Sequence, residues 1–417
     1  MKFDFAPAPS HFFDVSSSDW LDWKWQMRNS LKSQEDFAKH LELTAQEKVG
    51  FETQFSVRCT PYYLSLALGQ SPQDPIRKII VPTGHETLPG LQEMLDPLGE
   101  KKNNPAPRVI HRYPDRALLL VTDTCSVYCR YCTRKHFTAT DQAFIKSSQY
   151  DQALSYFKSQ KSIKEVILSG GDPLTLGDDQ LEGVISDLVS IDHIELIRLG
   201  TRMPVVCPMR ITDALVARLK KYHPIFVMTH FNHPRELTFE SSRAVLKFVD
   251  NGFPVFNQLV LLNGVNNHSA IIQALSRRLL SLRTKPYYMF QCDPSFGSDH
   301  LRTSVQDSLR IQRELWGKMS GLAMPNLSLD IPAGGGKVGL VPEFQTSVSI
   351  SGDGTEIRKF RGWDGVESEY VSPSPSHILQ PLDHEKYARE FALLEAGGTA
   401  PGGAPPVEQD QERMASF

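Results

Sequence analysis

Three of the six cysteines in this chain fall within eight positions. Cys125, Cys129 and Cys132 stand at C-x3-C-x2-C spacing in the segment TDTCSVYCRYCTRKHF. Three thiolates can ligate three irons of a four-iron cluster and leave the fourth iron to an outside ligand, whereas electron-transfer clusters usually take four cysteines. The same spacing admits zinc on three cysteines and His136, or three unrelated buried thiols. A second chemical feature is the segment LDIPAGGGKVGL, in which Lys337 follows Gly334, Gly335 and Gly336. Glycines let backbone amides come close to a phosphate, and a lysine beside such a site suits covalent attachment of pyridoxal phosphate. A glycine-rich turn with a solvated lysine is the alternative. A nucleoside-triphosphate loop is excluded, because Ile331 stands where that motif needs its first glycine and Val338 where it needs Ser or Thr.

These residues need elements to position them. Short apolar runs recur at 117–121, 165–168, 194–199, 225–228, 255–262 and 287–291, each followed by an amphipathic stretch with helical spacing. Strand then helix, repeated about every thirty residues, predicts right-handed βαβ units and a parallel sheet, hence an α/β fold. Six units are too few to close an eight-stranded barrel, which leaves an open partial barrel or a doubly wound sheet. The polar residues follow the strands: Cys125 the first, Gly170–Gly171–Asp172 the second, Thr201–Arg202 the third, His230 the fourth and Asp293 the sixth, with Asn257 and Gln258 inside the fifth run. In α/β barrels the C-terminal strand ends share one mouth, so these segments are expected to converge there.

Residues 1–105 are expected to form a helical extension and connector. Trp20, Trp23 and Met27 fall on one helical face, Thr44 with Glu47 fits a capping box, and 70–108 is rich in Pro, Gly, Asn and Asp. Residues 106–345 carry the barrel. The remaining 346–417 form a C-terminal segment, whose glycine- and proline-rich tail is expected to be disordered from about residue 395.

The cysteine spacing after the first strand of a partial barrel resembles the radical S-adenosylmethionine superfamily. Within it, DWLDWKWQMRN, TPYYLSL, HRYPDR at 111–116, CTRK, THFNHP, YYMFQCD and D-x6-K ending at Lys337 resemble the lysine 2,3-aminomutase family. The resemblance implies a TIM-like open partial (βα)6 barrel and three cofactors: a [4Fe-4S] cluster on Cys125, Cys129 and Cys132, S-adenosylmethionine on its open iron, and pyridoxal phosphate on Lys337. It implies Arg112, Tyr113 and Arg116 around pyridoxal phosphate. Gly170, Gly171, Asp172, His230 and Gln258 are implied around S-adenosylmethionine. Arg134 is implied on the substrate carboxylate, and Asp293 with Asp330 on the distal ammonium of lysine. The implied reaction is an isomerisation of L-lysine and L-β-lysine by a radical 1,2-amino shift. Alternatives are the same shift on arginine or ornithine, or modification of a lysine residue on a partner protein. Charge reasoning points the same way: two carboxylates facing one poorly hydrated pocket both stay ionised only with a cation between them, and an arginine can grip a carboxylate at two points.

Forty-five basic against 48 acidic side chains give a net charge of −3, which offers no field for nucleic acid or an anionic membrane. No export signal or membrane-length apolar run is evident, so a cytoplasmic location is expected. An amino acid substrate, a reductant such as flavodoxin or ferredoxin, and a second copy of the chain in a homo-oligomer are the expected partners. Cys59, Cys207 and Cys292 read as packing residues. Relatives with an interface zinc carry C-terminal cysteines and one after the fifth strand. Here His268 takes that place and no cysteine follows Cys292, so no structural zinc is expected. Tyr131 stands in the cysteine loop where histidine is frequent, and the Pro332–Ala333 loop is one glycine poorer than usual.

Overall fold

The computed structural model describes residues 3–53, 55–135, 137–138, 143–373 and 383–395. His136 and the tail beyond 395 lie outside them. The chain divides into two compact units, one ending at Pro342 and the other beginning at Glu343.

The first unit is organised by one nine-stranded sheet in chain order: β1 (Val109–Tyr113), β2 (Arg116–Thr122), β3 (Glu165–Gly170), β4 (Leu196–Gly200), β5 (Ile225–Thr229), β6 (Val255–Leu261), β7 (Thr284–Gln291), β8 (Asn326–Ile331) and β9 (Gly336–Gly339). Strands β2 to β8 run parallel, and β1 and β9 pair antiparallel at the two edges. Six helices make the crossovers: α1 (Ser147–Ser159), α2 (Asp178–Val189), α3 (Asp213–Leu219), α4 (Phe239–Asp250), α5 (Ser269–Ser281) and α6 (Val305–Leu315). The six βα units read from the sequence are therefore present. The structure adds β8 and the two antiparallel edges, whose short polar runs carry no period strong enough to read.

Side-chain alternation separates the two faces of this sheet. In β6, Val255, Asn257, Leu259 and Leu261 are buried, while Phe256, Gln258 and Val260 are half-buried, the period-two pattern of a strand packed on helices behind and lining a lumen in front. The helices answer with apolar stripes: α2 buries Leu181, Val184, Ile185 and Leu188, one face at i, i+3, i+4, i+7 spacing. Each such side chain contributes about 1.5–3 kcal/mol on burial. Caps fix where these helices begin. The hydroxyl of Thr238 accepts from the Ser241 amide before α4, and that of Ser304 from Asp307 before α6, each worth about 1 kcal/mol.

The N-terminal extension differs from its sequence reading in two places. The tryptophan stripe is split between helices Ser17–Trp20 and Trp23–Arg28, because the Asp22 carboxylate accepts from the amides of Lys24 and Trp25 and starts a new helix. Residues 70–108 are more than a connector: they contain the helix Pro75–Ile80, whose Ile76, Ile79 and Ile80 are buried. Asp74 and Pro75 read as turn residues, yet they cap and open that helix.

The second unit holds an antiparallel meander, β10 (Gln345–Ile350), β11 (Glu356–Arg361) and β12 (Glu367–Val371), and a helix, His384–Glu395. Its strands are exposed along most of their length. With no buried face to enforce alternation, they left no strand signal in the sequence. Among the described residues, no helix is long and apolar enough to cross a membrane.

Candidate active site

The cysteine loop leaves the C-terminal end of β2 and lines one pocket with Cys125, Cys129 and Cys132. It is anchored from outside. The Tyr128 amide donates to the Arg58 carbonyl at 2.9 Å and the Arg130 amide to Ile79 at 3.0 Å. The buried Arg130 guanidinium pairs with Glu86 at 2.5 and 2.8 Å. The glycine pair at the end of β3 locks the loop from inside. Gly171 donates to the Thr122 carbonyl at 2.7 Å and Asp172 to that of Thr124 at 2.8 Å. A β-carbon on Gly170, where φ is +127°, would lie 2.2 Å from the Thr122 oxygen, and one on Gly171 2.2 Å from the Thr124 oxygen. Only glycine permits that approach.

Burial, the Asp172 carboxylate and the neighbouring thiols push the Cys125 thiol well above its usual range, and burial with Cys129 raises Cys132. Two of the three thiols, Cys125 and Cys132, thus resist ionisation, which fits a site whose thiolates form on a metal. Among the described residues, no three His, Cys, Asp or Glu side chains are grouped to hold a single ion. The fourth zinc ligand considered from the sequence, His136, lies outside the described residues.

The residues expected at S-adenosylmethionine are brought to this end of the sheet, with one difference. Asp172 is not a free ligand. Its carboxylate accepts from the Leu174 amide, the Thr201 hydroxyl and the Arg202 amide at 3.0, 2.7 and 2.7 Å, so it joins β3 to β4. His230 follows β5 and meets the Tyr131 hydroxyl at 2.8 Å, their rings stacked at 5.7 Å. Burial and nearby Arg202 hold its imidazole down at about 3, in the neutral form. Tyr131 also accepts from the Asn232 amide at 2.6 Å, which gives the tyrosine a place in the loop. Gln258 is a half-buried position of β6.

Lys337 lies on β9, directly across from Asp330 of β8. It belongs to a strand and not to a phosphate-cradling loop, because Gly334 and Gly335 lie in the turn between β8 and β9 and Gly336 opens β9. Its amide donates to the Tyr113 hydroxyl at 2.9 Å. Its ammonium sits 4.4 Å from the ring centroids of both Tyr288 and Phe290. The strand is at the sheet edge, yet surrounding protein strips enough water from the ammonium to lower its pKa, with Arg116, Arg198 and Arg112 adding to the effect against Asp330. An amine so depressed is a better nucleophile at neutral pH. Tyr113, Arg116, Tyr288, Ser328 and Lys337 line a cavity of about 420 Å³. The Arg112 Nε is buried without a hydrogen-bond partner among the described residues, a donor that a phosphate oxygen suits. These residues fit pyridoxal phosphate.

Asp293 follows β7. Burial first, and then repulsion from Asp330, raise its carboxyl to about 7. Asp330 itself stands 3.8 Å from Arg112. Arg134 is occupied: its Nε and Nη2 pair with Glu100 at 2.9 and 2.6 Å, and Nη1 donates to the Ser169 hydroxyl at 3.0 Å. The two-point grip expected for a substrate carboxylate is thus shared with a carboxylate of the chain. Glu100 and the Glu165–Arg198 pair were not identified from sequence as site residues, and Arg202 was expected at the mouth without a role. Arg198 and Glu165 did leave a signal, as charges at alternate positions of otherwise apolar strands.

His268 accepts from the Ala270 amide at the start of α5, Cys59, Cys207 and Cys292 are buried, and Ala333 takes a φ of +57° where a glycine would be unstrained.

Six βα units carrying a three-cysteine loop after the first parallel strand and a glycine pair after the second define a radical S-adenosylmethionine enzyme, and residues 119–273 match the Radical SAM superfamily. The chain is 42% identical over 367 residues to L-lysine 2,3-aminomutase of Clostridium subterminale, covering 87% of this chain and 88% of that protein. It is 41% identical over 387 residues to L-lysine 2,3-aminomutase of Fusobacterium nucleatum, covering 92% and 89%. Glutamate 2,3-aminomutase of Clostridioides difficile is also 41% identical, over 84% of this chain and 82% of that one. The chain belongs to the 2,3-aminomutase family of the radical SAM superfamily. It is an isomerase whose cofactors are a [4Fe-4S] cluster, S-adenosylmethionine and pyridoxal phosphate, acting on an amino acid with an electron from a reductant.

Proposed function

We propose that this enzyme interconverts L-lysine and L-β-lysine. The observation that carries the reading is the Asp293–Asp330 pair. Burial and repulsion from Asp330 raise the Asp293 carboxyl to about 7 even with Lys337, Arg302 and Arg112 nearby, so a further cation between the two carboxylates is favoured. The distal ammonium of lysine supplies one, whereas the side-chain carboxylate of glutamate would add a third negative charge.

Bound together, the three cofactors supply a carbon radical and a conjugated π system, the two ingredients of a 1,2-amino shift. The chain's residues do the rest. Cys125, Cys129 and Cys132 hold three irons and leave one open, while Gly170 and Gly171 fix the loop that carries them. His230 and Gln258 face S-adenosylmethionine, the imidazole as a neutral hydrogen-bonding group. Lys337 holds pyridoxal phosphate, with Tyr113 bracing its backbone and Arg112 and Arg116 reaching the phosphate. Arg134, steadied by Glu100, takes the α-carboxylate, and Asp293 with Asp330 take the ammonium. The surrounding helices keep water and stray hydrogen donors from the lumen.

The free cysteines suit a reducing compartment, which supports a cytoplasmic location, with a flavodoxin or ferredoxin as the proposed electron donor. The net charge of −3 offers nothing to nucleic acid. Exposed Ile350, Trp363, Tyr370 and Val371 in the second unit support assembly with further copies of the chain.

The test is anaerobic. Protein loaded with iron, sulfide and pyridoxal phosphate is given S-adenosylmethionine, reductant and L-lysine, and chiral mass spectrometry is expected to find L-β-lysine. Cleavage of S-adenosylmethionine with no β-lysine would contradict the assignment. A pH dependence follows as well. Asp293 attracts the ammonium only when ionised, and with a carboxyl at about 7 its ionised fraction rises about tenfold from pH 6 to pH 8. KM for lysine is expected to fall by about that factor over the same span. In Asp330→Asn the repulsion is gone and the limb moves to lower pH; a KM flat from pH 6 to 8 in the unaltered enzyme would show that Asp293 does not bind the ammonium.

A further inference from the structure

Arg202 follows β4 and is buried against the cysteine loop. Its backbone is pinned by Asp172, and each arm of its guanidinium has an assigned direction. Nη2 donates to Glu236 Oε1 at 2.7 Å and to the Tyr63 hydroxyl at 2.8 Å, and Nε to the His230 carbonyl at 3.3 Å. Nη1 donates to the Cys129 sulfur at 2.8 Å. Glu236 is wholly buried and itself fixed, accepting from the Tyr63 hydroxyl at 2.5 Å and from the amides of Asn232 and His233 at 2.5 and 2.8 Å. Tyr63 and Tyr131 place their rings 5.1 and 5.9 Å from the guanidinium. The pair can neither swing away nor be screened by water.

We infer that Arg202 is a positioning residue that sets the reduction potential of the cluster through Cys129, with Glu236 as its opposing charge; the inference rests on the reading of Cys129 as a cluster ligand. Hydrogen bonds to ligand sulfur, and net charge beside a cluster, are established determinants of potential. A cationic N–H on the sulfur favours the more negative, reduced cluster and raises the potential. Glu236, bonded to the same guanidinium, cancels part of that charge and lowers it. The step affected is the transfer of one electron from a low-potential donor, taking the cluster from its 2+ to its 1+ state, with no proton or group transferred. A purely structural ion pair would hold the fold without moving this equilibrium in opposite directions when its two ends are neutralised separately.

The experiment uses the full chain loaded with iron and sulfide, without S-adenosylmethionine, titrated with dithionite and followed by the paramagnetic signal of the reduced cluster. Iron and acid-labile sulfide are counted in every sample. Arg202→Gln is expected to lower the reduced-to-oxidised ratio at a fixed poise at least tenfold, 59 mV for one electron. Arg202→Lys, which keeps the charge, is expected to shift less. Glu236→Gln is expected to raise the ratio. Loaded variants that stay within twofold of the unaltered protein, or that all shift the same way, would overturn the inference. If Arg202→Gln does not fold, Arg202→Lys and Glu236→Gln decide it alone, since opposite shifts support it and unmoved or parallel shifts refute it. Unaltered protein that takes up no cluster would instead refute the reading of Cys129, a distinct outcome.

Discussion

Asp330→Asn and Asp293→Asn are each expected to reduce kcat/KM for L-lysine by about two to four orders of magnitude. Removing one partner of a buried charge constellation commonly costs about 3–5 kcal/mol. The two losses differ in detail. Without Asp330, the Arg112 guanidinium 3.8 Å away loses its counter-ion, so pyridoxal phosphate binding is expected to change along with lysine use. Without Asp293, Arg112 keeps Asp330 as its counter-ion, and the effect should fall on lysine alone. Steady-state kinetics on variants matched for iron and pyridoxal phosphate content measure both. Near-normal lysine turnover in both would remove these residues from the ammonium site.

The second large effect is structural in origin and chemical in outcome. Gly171→Ala would put a methyl group 2.2 Å from the Thr124 carbonyl oxygen and 2.5 Å from its carbon. Backbone cannot give way there without moving Cys125, the next residue. Overpacking of this kind typically costs about 1–3 kcal/mol, here concentrated on the cluster loop. The variant is expected to fold, with its nine-stranded sheet retained by circular dichroism, but to bind less than a tenth of the iron of the unaltered protein. Full iron content in Gly171→Ala would show that the glycine pair is only a turn.

The legible part of this protein was the part with local causes. Apolar runs at about thirty-residue spacing gave six βα units, and three cysteines after the first of them gave the cluster loop. Reading failed where a distant contact decides. Asp22 splits the tryptophan stripe because its carboxylate outcompetes helix continuation. Lys337 followed three glycines and looked like a loop residue, although pairing with β8 makes it a strand. Glu100 meets Arg134 across 34 positions and Arg202 meets Cys129 across 73, and no pattern within either segment announces such partners. Asp172, expected near S-adenosylmethionine, also joins β3 to β4 through contacts about thirty positions away.

This barrel is read as shifting the amino group of lysine because two carboxylates await a cation. A single anaerobic competition tests it most directly: fully loaded enzyme, S-adenosylmethionine, reductant, and equal concentrations of L-lysine, L-arginine, L-ornithine and L-glutamate, with every β-isomer quantified by chiral mass spectrometry. L-β-Lysine is expected as the dominant product, with no β-glutamate. β-Glutamate in excess of β-lysine would contradict that reading.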